Sequence, residues 1–179
     1  MPSIVAVLFT LALSFSCVTA LSPNLIQKVL LKTGYLGKGL REQVAENYFE
    51  GVSQQDRSLI MSCFADSVTI RDVCNLNDGA TATREANPEI LALRCMDFLA
   101  AHPDTKVSFY CKPTCGRGRS RWVWAHWYET GTWSGESGGI QPQGTPLTVE
   151  GQTRFLVSDD LVITDIVVTR TFSDWEKAL

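Results

Sequence analysis

Tyr48 and Asp72 are the two residues whose types and spacing could do chemistry together, and they bound the stretch YFEGVSQQDRSLIMSCFADSVTIRD. A carboxylate among apolar side chains comes into the range where it can take and return a proton. A phenol can donate a hydrogen bond to an oxygen that is gaining charge. Such a pair would support proton abstraction beside a carbonyl, leading to isomerisation, cyclisation or dehydration. Two plainer readings stand next to it: Tyr48 as a packed core aromatic, and Asp72 as a strand-end acid that caps a loop or pairs with Arg71 or Arg84.

The elements that must position the pair are legible from periodicity. Leu40, Val44, Tyr48 and Val52 recur at four-residue steps, which predicts a helix that turns Tyr48 toward the core. Asp56 can cap a second helix whose apolar face carries Leu59, Ile60, Cys63 and Phe64, and Ala65, Asp66 and Ser67 end it. Val68 to Arg71 reads as a short strand with Asp72 at its end. The polar, glycine-containing segment from Asn75 to Ala86 reads as a loop. Asn87-Pro88-Glu89 then supplies a cap, a first-turn proline and an acid for a third helix, with Ile90, Leu91, Cys95, Phe98 and Leu99 as its buried stripe and His102-Pro103 as its stop.

Strands follow. Lys106 to Lys112 alternates, Pro113 to Ser120 turns, and Arg121 to Trp133 forms a long aromatic strand. One face of that strand presents Trp122, Trp124, His126 and Tyr128, and the other Val123, Ala125, Trp127 and Glu129. A last hairpin pairs Thr145 to Val157 with Leu161 to Phe172 around Ser158-Asp159-Asp160. His126 reads as an exposed or interfacial sheet residue, the arginines of CGRGRSR as a solvated loop, and Ser137-Gly138-Gly139 as a cavity rim without the strand-then-helix context of a phosphate loop.

The run ending Phe64-Ala65-Asp66 before a strand closed by Asp72 resembles the SnoaL-like, nuclear transport factor 2-like superfamily, and its spacing is most similar to ketosteroid isomerases. The resemblance covers roughly residues 38 to 175 and includes the segment TGTWSGESGGIQPQGTPLTVEG. It implies an α+β fold, a cone-shaped curved antiparallel sheet with three packed helices in the order α-α-β-α-β-β-β-β. It further implies Asp72 as general base, Tyr48 as oxyanion donor, and a hydrophobic pocket in which Val123, Trp127, Trp133 and Thr153 contact the ligand, with no cofactor and no metal. Three positions depart from the family pattern. Trp133 replaces the histidine of the turn, Thr153 the second acid, which ketosteroid isomerases keep protonated as a hydrogen-bond donor, and Val168 a final-strand acid. Asp165 would point to the opposite face from Val168. The losses favour a rival reading, a non-catalytic module that binds a hydrophobic ligand or dimerises through the aromatic sheet face, because one fold serves unrelated tasks.

At 179 residues, 45% hydrophobic and 20% charged, the chain suffices for one core, and a net charge of −3 gives no broad attraction to nucleic acid or anionic membrane. The amino terminus differs. Ile4 to Leu13 is apolar but for Thr10, and Val18-Thr19-Ala20 offers small residues for cleavage, so residues 1–20 read as a signal peptide. Residues 21–37 read as a basic leader or linker: no acid precedes Glu42, while Lys28, Lys32, Lys38 and Arg41 do. The expectation is the secretory pathway, with export or, by resemblance to two-part leaders, a complex algal plastid as destination, and a mature domain at 38–179. Beyond Cys17, the cysteines at 63, 74, 95, 111 and 115 are odd in number, so they cannot all pair within one chain. Cys111 and Cys115 in CKPTC could pair, and a zinc site lacks half of its ligands.

Overall fold

A computed structural model of the protein describes residues 37–74, 81–117 and 120–178. The expected signal peptide and the leader up to residue 36 lie outside the described residues. The elements are α1 (Gly37–Gln54), α2 (Arg57–Ser62), β1 (Phe64–Cys74), β2 (Thr81–Ala86), α3 (Pro88–Ala101), β3 (Lys106–Cys115), β4 (Trp122–Thr132), β5 (Pro146–Val157), β6 (Ile163–Arg170) and α4 (Asp174–Ala178). The strands form one six-stranded sheet in the order β2-β1-β6-β5-β4-β3. Only β1 and β6 run parallel; the other neighbours are antiparallel.

The helix starts have their chemistry in the sequence. Asp56 accepts from the backbone N–H of Leu59 at 3.0 Å, and Asn87 accepts from that of Ile90 at 2.9 Å, each satisfying an amide that a first helical turn leaves without a carbonyl. Strand β5 buries Leu147, Val149, Gly151, Thr153, Phe155 and Val157 in strict alternation, as period two demands of a sheet covered on one face. Tyr48 sits at the centre of an edge-to-face aromatic cluster, with ring centroids 5.2 Å from Phe49, 5.6 Å from Phe64 and 5.5 Å from Phe155. This cluster joins α1 to the concave face of the sheet.

The α+β class stands, with two more elements than expected and one parallel pair. Strand β2 falls where the sequence pattern predicts a loop, because TATREA has no apolar alternation and Thr83, Arg84 and Glu85 are exposed at the sheet edge. β1 begins at Phe64, so Ala65-Asp66-Ser67 belongs to a strand instead of a helix end. β3 continues through Pro113 to Cys115. Proline is tolerated there because β3 is an edge strand, and the ladder with β4 is irregular between Cys111 and Thr114. Cys111 lies exposed and Cys115 buried near the end of β3, and the two are not joined to each other by a disulfide. Among the described residues no helix is long and apolar enough to cross a membrane.

Candidate active site

The sheet's concave face, α1, α3 and the C-terminal α4 enclose a cavity of about 740 Å³. Its floor is apolar, with Phe49, Val52, Leu91, Phe98, Phe155 and Ile166, while polar groups reach it from β1, β4, β6 and α4. Tyr48, Asp72, Trp127 and Thr153 all line it. The sheet register explains how. Asp72 lies beside Val168, and Val168 beside Thr153, on three adjacent strands.

Trp127 donates from its indole N–H to the Thr153 hydroxyl at 2.8 Å, a buried bond that fixes the ring against the cavity wall. Gly151 makes that wall possible. A Cβ there would come within 2.8 Å of both the Trp127 ring and the Arg170 Cβ, so glycine lets these two large side chains flank it across the sheet. Val168 lines the cavity, and Asp165 holds Thr164 at 2.8 Å outside it.

Val123 and Trp133 do not reach the cavity. Val123 is fully buried in the solid core, in register with Cys115 on one side and Phe155 on the other. Trp133 is buried in the turn that closes on the end of α3. Its indole donates to the Gly135 carbonyl at 3.2 Å, while the amides of Ser134 and Gly135 donate to the Ala101 carbonyl. At Gly135 any Cβ would overlap the Ala100 carbonyl oxygen, which makes this contact specific to glycine. The turn therefore caps a helix, and only the following Ser137 and Gly138 rim the cavity.

Asp72 forms an ion pair with Arg170 at 3.1 Å, a partner distant in sequence. Arg170 also binds Glu176 of α4 through both guanidinium nitrogens, at 2.7 and 2.5 Å, giving a fork-on-carboxylate geometry. Glu176 in turn accepts from the amide and hydroxyl of Ser173. Ser173 accepts from the Glu176 amide, completing a capping box for α4. Ser173-x-x-Glu176 is the sequence signal that would have announced this helix. With it come Trp175 and Glu176, both lining the cavity, and Trp175 packs edge-on against Phe98 and His102.

Glu129 is the cavity group whose chemistry sequence reasoning missed, although alternation places the residue on the correct strand face. Burial pushes its carboxyl up to about 7, with Arg170 pulling down and Glu176 pushing up. Burial also raises the Tyr48 hydroxyl well above its usual value, so it remains an O–H donor across ordinary pH. The hydroxyl lies 3.9 Å from Cys95 Sγ, and burial lifts that thiol to about 11. A thiol so raised stays protonated and is a poor nucleophile. Among the described residues no three acidic, histidine or cysteine side chains converge as a metal site would need.

No family model and no curated protein matches the sequence. Solved structures do match. A Jannaschia sp. protein provisionally described as a SnoaL-like polyketide cyclase superposes with a TM-score of 0.58 at 17% identity, over 79% of this chain and 90% of that one. The chain has the SnoaL-like fold. The epoxide hydrolase/cyclase-like enzyme of pyran ring formation in salinomycin superposes with a TM-score of 0.55 at 15% identity, over 73% of this chain and 89% of that one. An NTF2-like protein of unknown function from Exiguobacterium sp. gives 0.52 at 15%, over 73% and 98%. At such identities the SnoaL-like fold is what is shared.

Proposed function

We propose that the cavity takes a small, largely apolar molecule bearing a carbonyl group and moves a proton beside that carbonyl without a cofactor. The observation that carries this reading is a hydroxyl and several carboxyl groups turned into one mostly apolar cavity of about 740 Å³, a size suited to a small-molecule ligand. Tyr48 donates to the carbonyl oxygen as it becomes an enolate. A lining carboxylate takes the proton, and Asp72, fixed in place by Arg170, is one candidate. The solved structure described as a SnoaL-like polyketide cyclase lends support, since closing a carbon ring on a polyketide can begin with loss of a proton beside a carbonyl.

The first experiment is titration with 2-tetralone, an apolar bicyclic ketone, followed through the fluorescence of Trp127 and Trp175, which both line the cavity. Saturable quenching in wild type that weakens in Val168→Arg, which fills the cavity with charge, is the expected result. Quenching unaffected by Val168→Arg would reject the cavity as the binding site.

A second reading rests on the outer face of the sheet. There Trp124 and Tyr110 are 46% and 61% exposed, Arg154 stacks over Trp122 and Trp124, and Tyr110 packs on His126 and Tyr128. Exposed aromatics of this density favour a homodimer through that face. Trp124→Glu should then give monomers by light scattering at concentrations where wild type is dimeric, and an unchanged mass would reject it.

A further inference from the structure

Four carboxyl side chains line the cavity, and their surroundings divide them. Asp72 and Glu176 share Arg170, and Asp97 is exposed on α3. Glu129 reaches the cavity from near the end of β4 and is partly buried there. Its cross-strand neighbours are both apolar, the buried Val149 on β5 and the partly buried Val107 on β3. The charged and titratable groups that interact electrostatically with it are Arg170 on β6, Glu176 on α4, Tyr48 on α1 and Cys95 on α3. Tyr48 and Glu129 therefore line one volume, and the Glu129 charge helps to keep the Tyr48 hydroxyl protonated.

Resting on the proton-transfer reading above, we propose that Glu129 is the catalytic residue that takes and returns the proton, with Asp72 a positioning residue that orients Arg170. In the forward step the Glu129 carboxylate accepts a proton from the carbon next to the carbonyl. The C–H electron pair becomes the new C=C bond, and the C=O pair moves onto oxygen, where the Tyr48 O–H holds the enolate. Return of the proton to the same carbon, or to another carbon of a conjugated enolate, restores C=O and regenerates the carboxylate. Nothing is oxidised or reduced. A carrier whose carboxyl lies near neutrality suits this role, because it is ionised often enough to accept and basic enough to be effective.

The test is exchange of the α-protons of 2-tetralone in deuterated buffer, followed by proton NMR, with binding measured alongside. Wild type should speed exchange over buffer with an inflection near neutral pH. Glu129→Gln should lower the protein-dependent rate by about 100-fold while tetralone still binds, and Glu129→Asp should restore part of it with a shifted pH profile. Asp72→Asn should cost only about tenfold. Full exchange in Glu129→Gln, with loss in Asp72→Asn, would move the proton to Asp72 and overturn the inference while leaving proton transfer in place. Binding without any exchange by wild type would sink both. A carboxyl carbon titration of Glu129 in wild type needs no variant to fold, and an ordinary carboxylate midpoint there would also overturn the assignment.

Discussion

Urea unfolding at about pH 5 and about pH 8 should show the folded protein losing roughly 2 to 3 kcal/mol of stability that Glu129→Gln retains. In the unfolded chain Glu129 releases its proton at the ordinary 4.5, whereas in the folded chain it holds it to about 7. Between those two values the folded state binds more protons, so stability falls as pH rises. The contribution is intact in acid, below the unfolded midpoint, and fully lost only above the folded one. Each tenfold difference in proton affinity corresponds to about 1.4 kcal/mol, which sets the size of the effect. Other groups also shape the pH profile. His102 is one, since burial lowers its midpoint. They are common to both proteins, and the difference between the two curves isolates Glu129. Parallel curves for wild type and variant would show that the carboxyl is solvated and ordinary.

The sign of this effect bears on function. An ionised Glu129 destabilises the fold because its carboxylate sits in a cavity built largely of apolar groups. A ligand that is itself an acid, donating a proton or a hydrogen bond to that carboxylate, would relieve the penalty by binding only the folded state. A buried acid placed at a cost to stability is the pattern expected of a functional site, where strain is tolerated for chemistry.

Much of this arrangement was legible in the sequence. The four-residue spacing put Tyr48 on the core face of α1, alternation put Trp127 and Glu129 on one face of β4, and the family resemblance implied which face is inner and Thr153 as a pocket residue. Where legibility ended, the cause was contact order. The Asp72–Arg170 pair joins residues from opposite ends of the domain through the parallel β1 and β6, and no local pattern announces it. Glu129 reads as a polar residue near a strand end until α1, α3 and α4 close over it. Strand β2 carries no hydrophobic signature because an edge strand with both faces wet needs none. By contrast, the short α4 was readable from its Ser173-x-x-Glu176 box, yet its importance rests on Arg170, which only the folded chain supplies.

Arg170→Met should then cost about 3 kcal/mol, because it removes the guanidinium that offsets the desolvation of Asp72 and Glu176, each less than a fifth exposed. The change preserves bulk, so the loss is mainly electrostatic. Its second consequence separates the cluster from simple packing. Arg170 draws the Glu129 carboxyl downward and Glu176 pushes it upward, so Arg170→Met should raise the Glu129 midpoint above about 7, and Glu176→Gln should lower it. Loss of the fork to Glu176 should also free α4, and Trp175 would leave Phe98 and His102 with a red shift in fluorescence. Opposite movements of one carboxyl in two variants are hard to produce by general loosening, which would carry both toward the solvated value. If both midpoints fell toward the ordinary 4.5, the cluster would be holding the cavity shut and no more. If they diverged, Arg170 would be setting the proton affinity of the acid beside it.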